Sequence, residues 1–268
     1  MSQRVLITGG ASGLGKALAK QYLRNGARVL ITDINEQSGK EAELELRPLG
    51  AVSFIKASTT VADDWAAVLK WTEENWQGLD VLVNNAGVAA AGRIDKISME
   101  DWDWIIDINL KGVIRGCQTF VPLFKQQKSG HIVNIASLAA LASIPTMSSY
   151  NVTKAAVVSL SETLRYELAP YGIHTTVVCP SFFQTNLADT MRTPEEGMDR
   201  TVRKLLSSGK LSAEQVATRI IRAQRRNIFL ELPHTDGKAL ALVKRYIPAL
   251  YNYGVADAGR RLYKKLEK

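Results

Sequence analysis

The chain alternates between short apolar runs and longer stretches whose apolar residues recur every three or four positions. Seven runs read as strands: RVLITG (4–9), ARVLITD (27–33), VSFIKA (52–57), LDVLVNNAG (79–87), GHIVNIAS (130–137), IHTTVVCP (173–180) and RRNIFLEL (225–232). Helical periodicity fills 14–25, 36–46, 62–76, about 98–125 and about 150–169 between them. Ser98 and Asp101 have the spacing of a helix-capping pair. Strands that are apolar throughout are buried on both faces. Their alternation with helices predicts an α/β fold built on a parallel sheet in a single domain. Residues 182–211 break the rhythm, and a long irregular insertion of that kind reads as a lid over a substrate. The core domain is expected over 1–237, with a basic, amphipathic extension over 238–268.

Composition narrows the function classes. The 268 residues are 46% hydrophobic and 22% charged, as in an ordinary globular protein. Cys117 and Cys179 give no disulfide framework, and His131, His174 and His234 are scattered, so no metal site is expected. The net charge is +8, but 238–268 hold eight basic residues against two acids and so supply +6 of it. The remainder is nearly neutral, which argues against a nucleic-acid surface. The extension could rest on an anionic membrane, on the chain's own domain or on a second subunit. No charged leader or long apolar run precedes the first strand pattern, and the expected compartment is the cytoplasm.

The chemistry concentrates at two places. Thr8-Gly9-Gly10-Ala11-Ser12-Gly13-Leu14-Gly15 joins the first strand to the first helix. Glycines there let the backbone approach a phosphate, and a helix N-terminus offers free N–H groups. Two designs compete. Gly10, Gly15 and Lys16 begin a nucleoside-triphosphate loop, but Ala17 stands where Ser or Thr must ligate magnesium. A dinucleotide turn instead expects an acid near the end of the second strand, and Asp33 is there. Asp33 can accept hydrogen bonds from both ribose hydroxyls and would repel a 2′-phosphate. No basic residue in 9–15 or just after Asp33 offsets that repulsion, so NAD(H) is expected over NADP(H). The second place is SSYNVTKAA (148–156), where Tyr150 and Lys154 fall one helical turn apart on one face.

Together these residues resemble the short-chain dehydrogenase/reductase family over about 3–185. The likeness rests on TGGASGLG (8–15), NNAG (84–87), Asn109 in INLKG, Ser137 after the fifth strand, and Tyr150-x-x-x-Lys154. The resemblance implies a Rossmann-type, doubly wound sheet of about seven strands and nicotinamide chemistry. It implies a catalytic tetrad of Asn109, Ser137, Tyr150 and Lys154. The cofactor residues it implies are Gly9, Ser12, Gly13, Leu14, Gly15, Asp33 and Ile34, then Asn85, Ala86 and Gly87. Tyr150 and Lys154 join them, and Pro180, Phe183 and Thr185 would hold the carboxamide. Homodimers or homotetramers are usual in the family. Three departures stand out: Ser181 follows Pro180 where the family often has Gly, Ser58 occupies a position where an Asp commonly meets the adenine, and the basic tail extends past the usual core.

An alcohol becomes a ketone by losing a proton from oxygen and a hydride from carbon. The cofactor takes the hydride and the protein must manage the proton. A free phenol titrates near ~10. A neighbouring ammonium and the positive nicotinamide ring are expected to lower that value and make Tyr150 a general acid/base. By the resemblance, Ser137 polarises the substrate oxygen, Lys154 also holds the nicotinamide ribose, and Asn109 anchors a water that relays protons. Substrate contacts are expected from Ser137, Tyr150, Phe182 and Leu187. No Arg or Lys lies in LAALASIPTM (138–147), so an apolar alcohol or carbonyl is expected. The rival readings are a catalytically silent NAD(H)-sensing protein and a non-redox epimerase or dehydratase on the same fold.

Overall fold

The computed structural model describes residues 2–266. Glu267 and Lys268, counted in the tail's charge, lie outside the described residues. Seven parallel strands form one sheet: β1 (Arg4–Thr8), β2 (Arg28–Asp33), β3 (Val52–Lys56), β4 (Val81–Asn84), β5 (Gly130–Ile135), β6 (Ile173–Val178) and β7 (Leu230–Glu231). Their spatial order is β3-β2-β1-β4-β5-β6-β7. The chain runs outward one way from β1 and then crosses to β4 and runs the other way. The crevice at the strand ends between β1 and β4 is the place where such a sheet binds ligands.

Why both faces are covered follows from the side-chain alternation along each strand. Val5 and Ile7 of β1 face one layer, with α1 (Gly13–Arg24), α2 (Glu36–Leu46) and α9 (Ala213–Arg225). Leu6 faces the other, with α3 (Ala62–Trp76), α5 (Gly112–Gln127) and α7 (Ser148–Leu168). All three side chains are fully buried. Completely burying one such side chain is worth roughly 1.5–3 kcal/mol, so a polar residue at any of them would cost more than a surface ion pair returns.

The seven strands and the flanking helices agree with the sequence pattern, with local differences. The expected helix over about 98–125 is three pieces: α4 (Met99–Ile106), a π-helical turn (Asp107–Lys111) and α5. Ser98 caps it, its hydroxyl accepting from Asp101 N–H at 3.1 Å. The segment 182–211 contains a 3-10 turn (Asn186–Ala188) and α8 (Met198–Ser207). A short α6 (Ala139–Ala142) follows β5.

Of the three settings open to the extension, packing on its own domain is seen. It forms α10 (Thr235–Tyr246) and α11 (Pro248–Leu266). The Tyr251 hydroxyl donates to Ala142 O, and Lys244 Nζ donates to Leu141 O. Both contacts fall on α6. The outward side leaves Leu242, Tyr246, Ile247, Leu250 and Tyr253 exposed. Among the described residues no helix is long and apolar enough to cross a membrane, and no group of three or more His, Cys, Asp or Glu could hold a metal ion.

Candidate active site

The glycine turn after β1 is shaped by contacts that leave no room for side chains. Gly9 and Gly13 have φ of +62° and +50°, a region costly for other residues. A Cβ on Gly15 would lie 2.1 Å from Gly9 O. Ser12 precedes α1 in extended conformation, with no side-chain cap and no acid in the first turn. The first N–H groups of α1 therefore face the cleft with a partial positive charge and no internal anion. The turn is braced from β4. Thr8 Oγ1 accepts from Asn85 N–H and Ala86 N–H, both at 3.0 Å, and Asn85 Nδ2 donates to Thr8 O at 2.8 Å.

Asp33 closes β2 at one end of the same cleft. Its Oδ2 accepts from Ala11 N–H at 3.3 Å and its Oδ1 from Asn35 N–H at 3.1 Å. Each oxygen keeps a second lone pair for a ligand. Ile34 beside it is 69% exposed. Ser58 also faces the cleft, its N–H held by Asp64 Oδ2 at 2.7 Å and its hydroxyl by Thr60 at 2.8 Å.

At the other end, α7 presents Tyr150 and Lys154 on its buried face, 6% and 5% exposed. Ser137, just past β5, accepts from Ala139 N–H at 3.2 Å and lies on the Tyr150 side of the cleft, where it acts on the phenol. Lys154 Nζ lies 5.8 Å from the Tyr150 ring centre and donates to Ile135 O at 3.0 Å. Asn109 sits behind the wall in the π-helical turn, fully buried. Its Oδ1 accepts from Val88 N–H at 2.8 Å, and its Nδ2 donates to Val88 O at 2.9 Å. A Cβ on Gly87 would lie 3.1 Å from Asn109 Oδ1 and 3.4 Å from Lys154 Nζ. The glycine therefore keeps a small space open between those two groups.

Burial dominates the electrostatics of both groups. Burial raises the phenol above its usual range, opposed by Ser137. Burial also brings Lys154 down to about 8. Desolvation penalises the charged form of each group, and Cys179 beside them raises both values slightly.

These residues meet in a single cleft of about 800 Å³. Gly9, Ser12, Gly13, Leu14 and Gly15 line it with Asp33 and Ile34; Asn85, Ala86 and Gly87 form its floor. Pro180, Phe183 and Thr185 also line it, and Phe182 and Leu187 do so from the apolar cluster that holds Tyr150. Ser181 is not among the non-glycine residues with positive φ, so serine fits its position. Sequence reasoning missed Trp104, Ile108, Met147, Val202 and Leu206, which also line the cleft. They are spread over four segments, and only the fold brings them together. The segment past Thr185 is tied back to the loop after β4. Ala91 N–H donates to Arg192 O at 3.1 Å, and Arg93 Nε donates to Glu195 Oε1 at 2.8 Å.

A glycine cradle at a helix N-terminus, an acid on the neighbouring strand, and a Ser-Tyr-Lys cluster in the same cleft define a dinucleotide-dependent oxidoreductase. The family model for short chain dehydrogenases matches residues 3–196. An oxidoreductase of Thermotoga maritima is 40% identical over 182 residues, 68% of this chain and 72% of that protein. The crystal structure of a short chain dehydrogenase/reductase from Burkholderia phymatum in complex with NAD superposes with a TM-score of 0.88. It is 32% identical and the match covers 93% of this chain and 95% of that one. A short-chain dehydrogenase from Sphingobium yanoikuyae in complex with NADPH gives 0.77 at 26% identity, over 92% and 95% of the two chains. The chain belongs to the short-chain dehydrogenase/reductase family and is an oxidoreductase acting on CH–OH groups with a nicotinamide cofactor.

Proposed function

We propose that the chain interconverts a secondary alcohol and a ketone or aldehyde with NAD(H), Tyr150 serving as general acid/base. The observation that carries this reading is the shared cleft. Tyr150, Ser137 and Lys154 face the space that continues from the glycine turn and Asp33. A nicotinamide cofactor bound there supplies the hydride acceptor or donor. Tyr150 exchanges the proton at the substrate oxygen while Ser137 holds that oxygen. The raised phenol pKa keeps Tyr150 protonated in the free chain, the form that donates to a carbonyl. Asn109 and Lys154, either side of the space at Gly87, are the ends of a proton relay.

Asp33 and the absence of Arg or Lys near it in the cleft lining support NAD(H) over NADP(H). An apolar substrate is supported by Val88, Trp104, Met147, Phe182, Leu187 and Val202, which surround the space beyond Tyr150. Residues 182–211 act as the lid over it, with 192–195 as its anchor. We read the working form as a homodimer or homotetramer. The outward face of α10 and α11, with Arg245, Arg260, Arg261 and Lys264 among its exposed apolar residues, is a candidate contact with anionic membrane. The reading is tested by absorbance at the reduced-nicotinamide band across a panel of alcohols and ketones. Turnover of apolar secondary alcohols with NAD⁺ supports it. A panel that yields only binding, or only small polar polyols, defeats the corresponding part.

A further inference from the structure

We propose that His234 is a positioning residue for the nicotinamide end of the cleft, its Nδ1 pinning the backbone of Ser181. The inference rests on the NAD(H) site proposed above, since it concerns the loop that borders Tyr150 and Lys154.

Three consecutive residues after β6 are tied in place. Cys179 N–H donates to Glu231 O at 2.9 Å, and Pro180 O accepts from Leu138 N–H at 2.8 Å. Ser181 N–H donates to His234 Nδ1 at 3.2 Å. The first two ties are backbone to backbone, so no side-chain change removes them. The third depends on one side chain and on its protonation state.

His234 is 5% exposed and sits at the junction of β7 and α10. Its ring lies 6.0 Å from that of Phe183, which itself faces the cleft. One histidine therefore touches the loop at two points, its backbone at Ser181 and its aromatic side chain at Phe183. The preceding residue is fixed as well, because the Arg219 guanidinium donates to Pro233 O.

The contact dictates a tautomer. A backbone N–H can only donate, so Nδ1 must be bare and the ring proton must sit on Nε2. Nε2 is buried with no protein partner among the described residues. A second proton would place an N–H on Nδ1, facing the Ser181 N–H, and break the tie. The charged groups facing the ring are Asp236 on its own helix and Arg219 on α9. Burial pushes the His234 pKa below its ordinary value, Asp236 opposes that, and Arg219 adds to it. The tie is therefore intact at neutral pH and is lost in acid, below the ordinary histidine value of ~6.5.

The test uses the full chain and three readouts. Ring ¹⁵N shifts of the cofactor-free protein at pH 7.5 report the tautomer directly. NAD⁺ affinity is measured by titration calorimetry on wild type, His234→Ala and His234→Asn, with thermal unfolding as the folding control. The pH profile of turnover gives the third. We expect a bare Nδ1 and NAD⁺ binding weakened about fivefold in His234→Ala, the scale of one lost backbone acceptor. Asparagine places an oxygen near the Nδ1 position without titrating. His234→Asn should bind within about twofold of wild type and lose the His234-dependent part of the acid limb. A proton on Nδ1 at pH 7.5, wild-type affinity in His234→Ala, or an asparagine variant no better than alanine overturns the proposal. Failure of wild type to bind NAD⁺ would instead overturn the NAD(H) reading, and the ring shifts would still judge the contact.

Discussion

Replacing Asp33 with asparagine tests the cofactor assignment at its physical root. The Asp33 carboxylate is half-buried at the cleft edge, and no Arg or Lys lines the cleft near it. Two unit charges ~4 Å apart repel by about 1 kcal/mol in water and about 4 kcal/mol at a partly shielded surface. For a half-buried carboxylate a middle value of about 2 kcal/mol is reasonable. That corresponds to a preference for NAD⁺ over NADP⁺ of about 30-fold in kcat/KM. The Asp33→Asn change removes the charge and keeps one acceptor oxygen. Either Ala11 or Asn35 then loses its side-chain acceptor, which costs about 1 kcal/mol of stability. The assay is initial-rate kinetics with each cofactor on both proteins, with thermal unfolding alongside. The ratio should be about 30 or more in wild type and within about fivefold of unity in Asp33→Asn, with Tm lower by only ~2–4 °C. A wild-type ratio near one, or an unchanged ratio in the variant, would refute the charge argument.

Three other outcomes follow from the same geometry. Lys154 titrates at about 8 in the folded chain against 10.5 as its reference. The unfolded chain binds that proton more tightly, so stability rises with pH between those values, and below about 8 the fold carries the full cost of the buried charge. Lys154→Met should abolish turnover yet raise Tm at pH 7 by a few degrees, even after losing the Ile135 hydrogen bond; a lower Tm contradicts the burial argument. The Arg93 side chain, and then its backbone, hold the Glu195 pKa below the usual carboxylate value. That tie is fully present above ~4.5 and lost as pH falls through the depressed value. Proteolysis within 182–197 should rise only at strongly acid pH, and a rise already at pH 6 would show that Glu195 is not the anchor. Cosedimentation with phosphatidylglycerol vesicles at low salt should capture the chain, weaken with added salt, and be reduced by Tyr253→Asp. No capture, together with a dimer that the same substitution dissociates, assigns the tail's outer face to a second subunit.

Much of the fold was legible because a buried parallel sheet leaves continuous apolar runs, and each of the seven runs contains a strand. The site was legible where one local motif does the work. The glycine turn needs its residue types at fixed offsets, and Tyr150 and Lys154 need only one helix. What the sequence concealed depends on burial or on distant pairing. The π-helical turn at Asp107–Lys111 leaves no periodic signature in a stretch as apolar as WIIDINL, yet it aims Asn109 at Val88. The Tyr150 environment was legible only in part. Spacing shows that an ammonium is near but not that both groups are dehydrated. His234 was passed over because its partner, Ser181, is 53 residues away.

The central claim is that the Tyr150 hydroxyl moves the proton while the rest of the cleft holds the cofactor. Its most direct test is Tyr150→Phe, which removes one buried oxygen and little else, assayed for NAD⁺ affinity and turnover on the same preparation. NAD⁺ binding within about threefold of wild type, with turnover reduced by about 10²–10⁴-fold, is the predicted result. Turnover in Tyr150→Phe equal to wild type would contradict it.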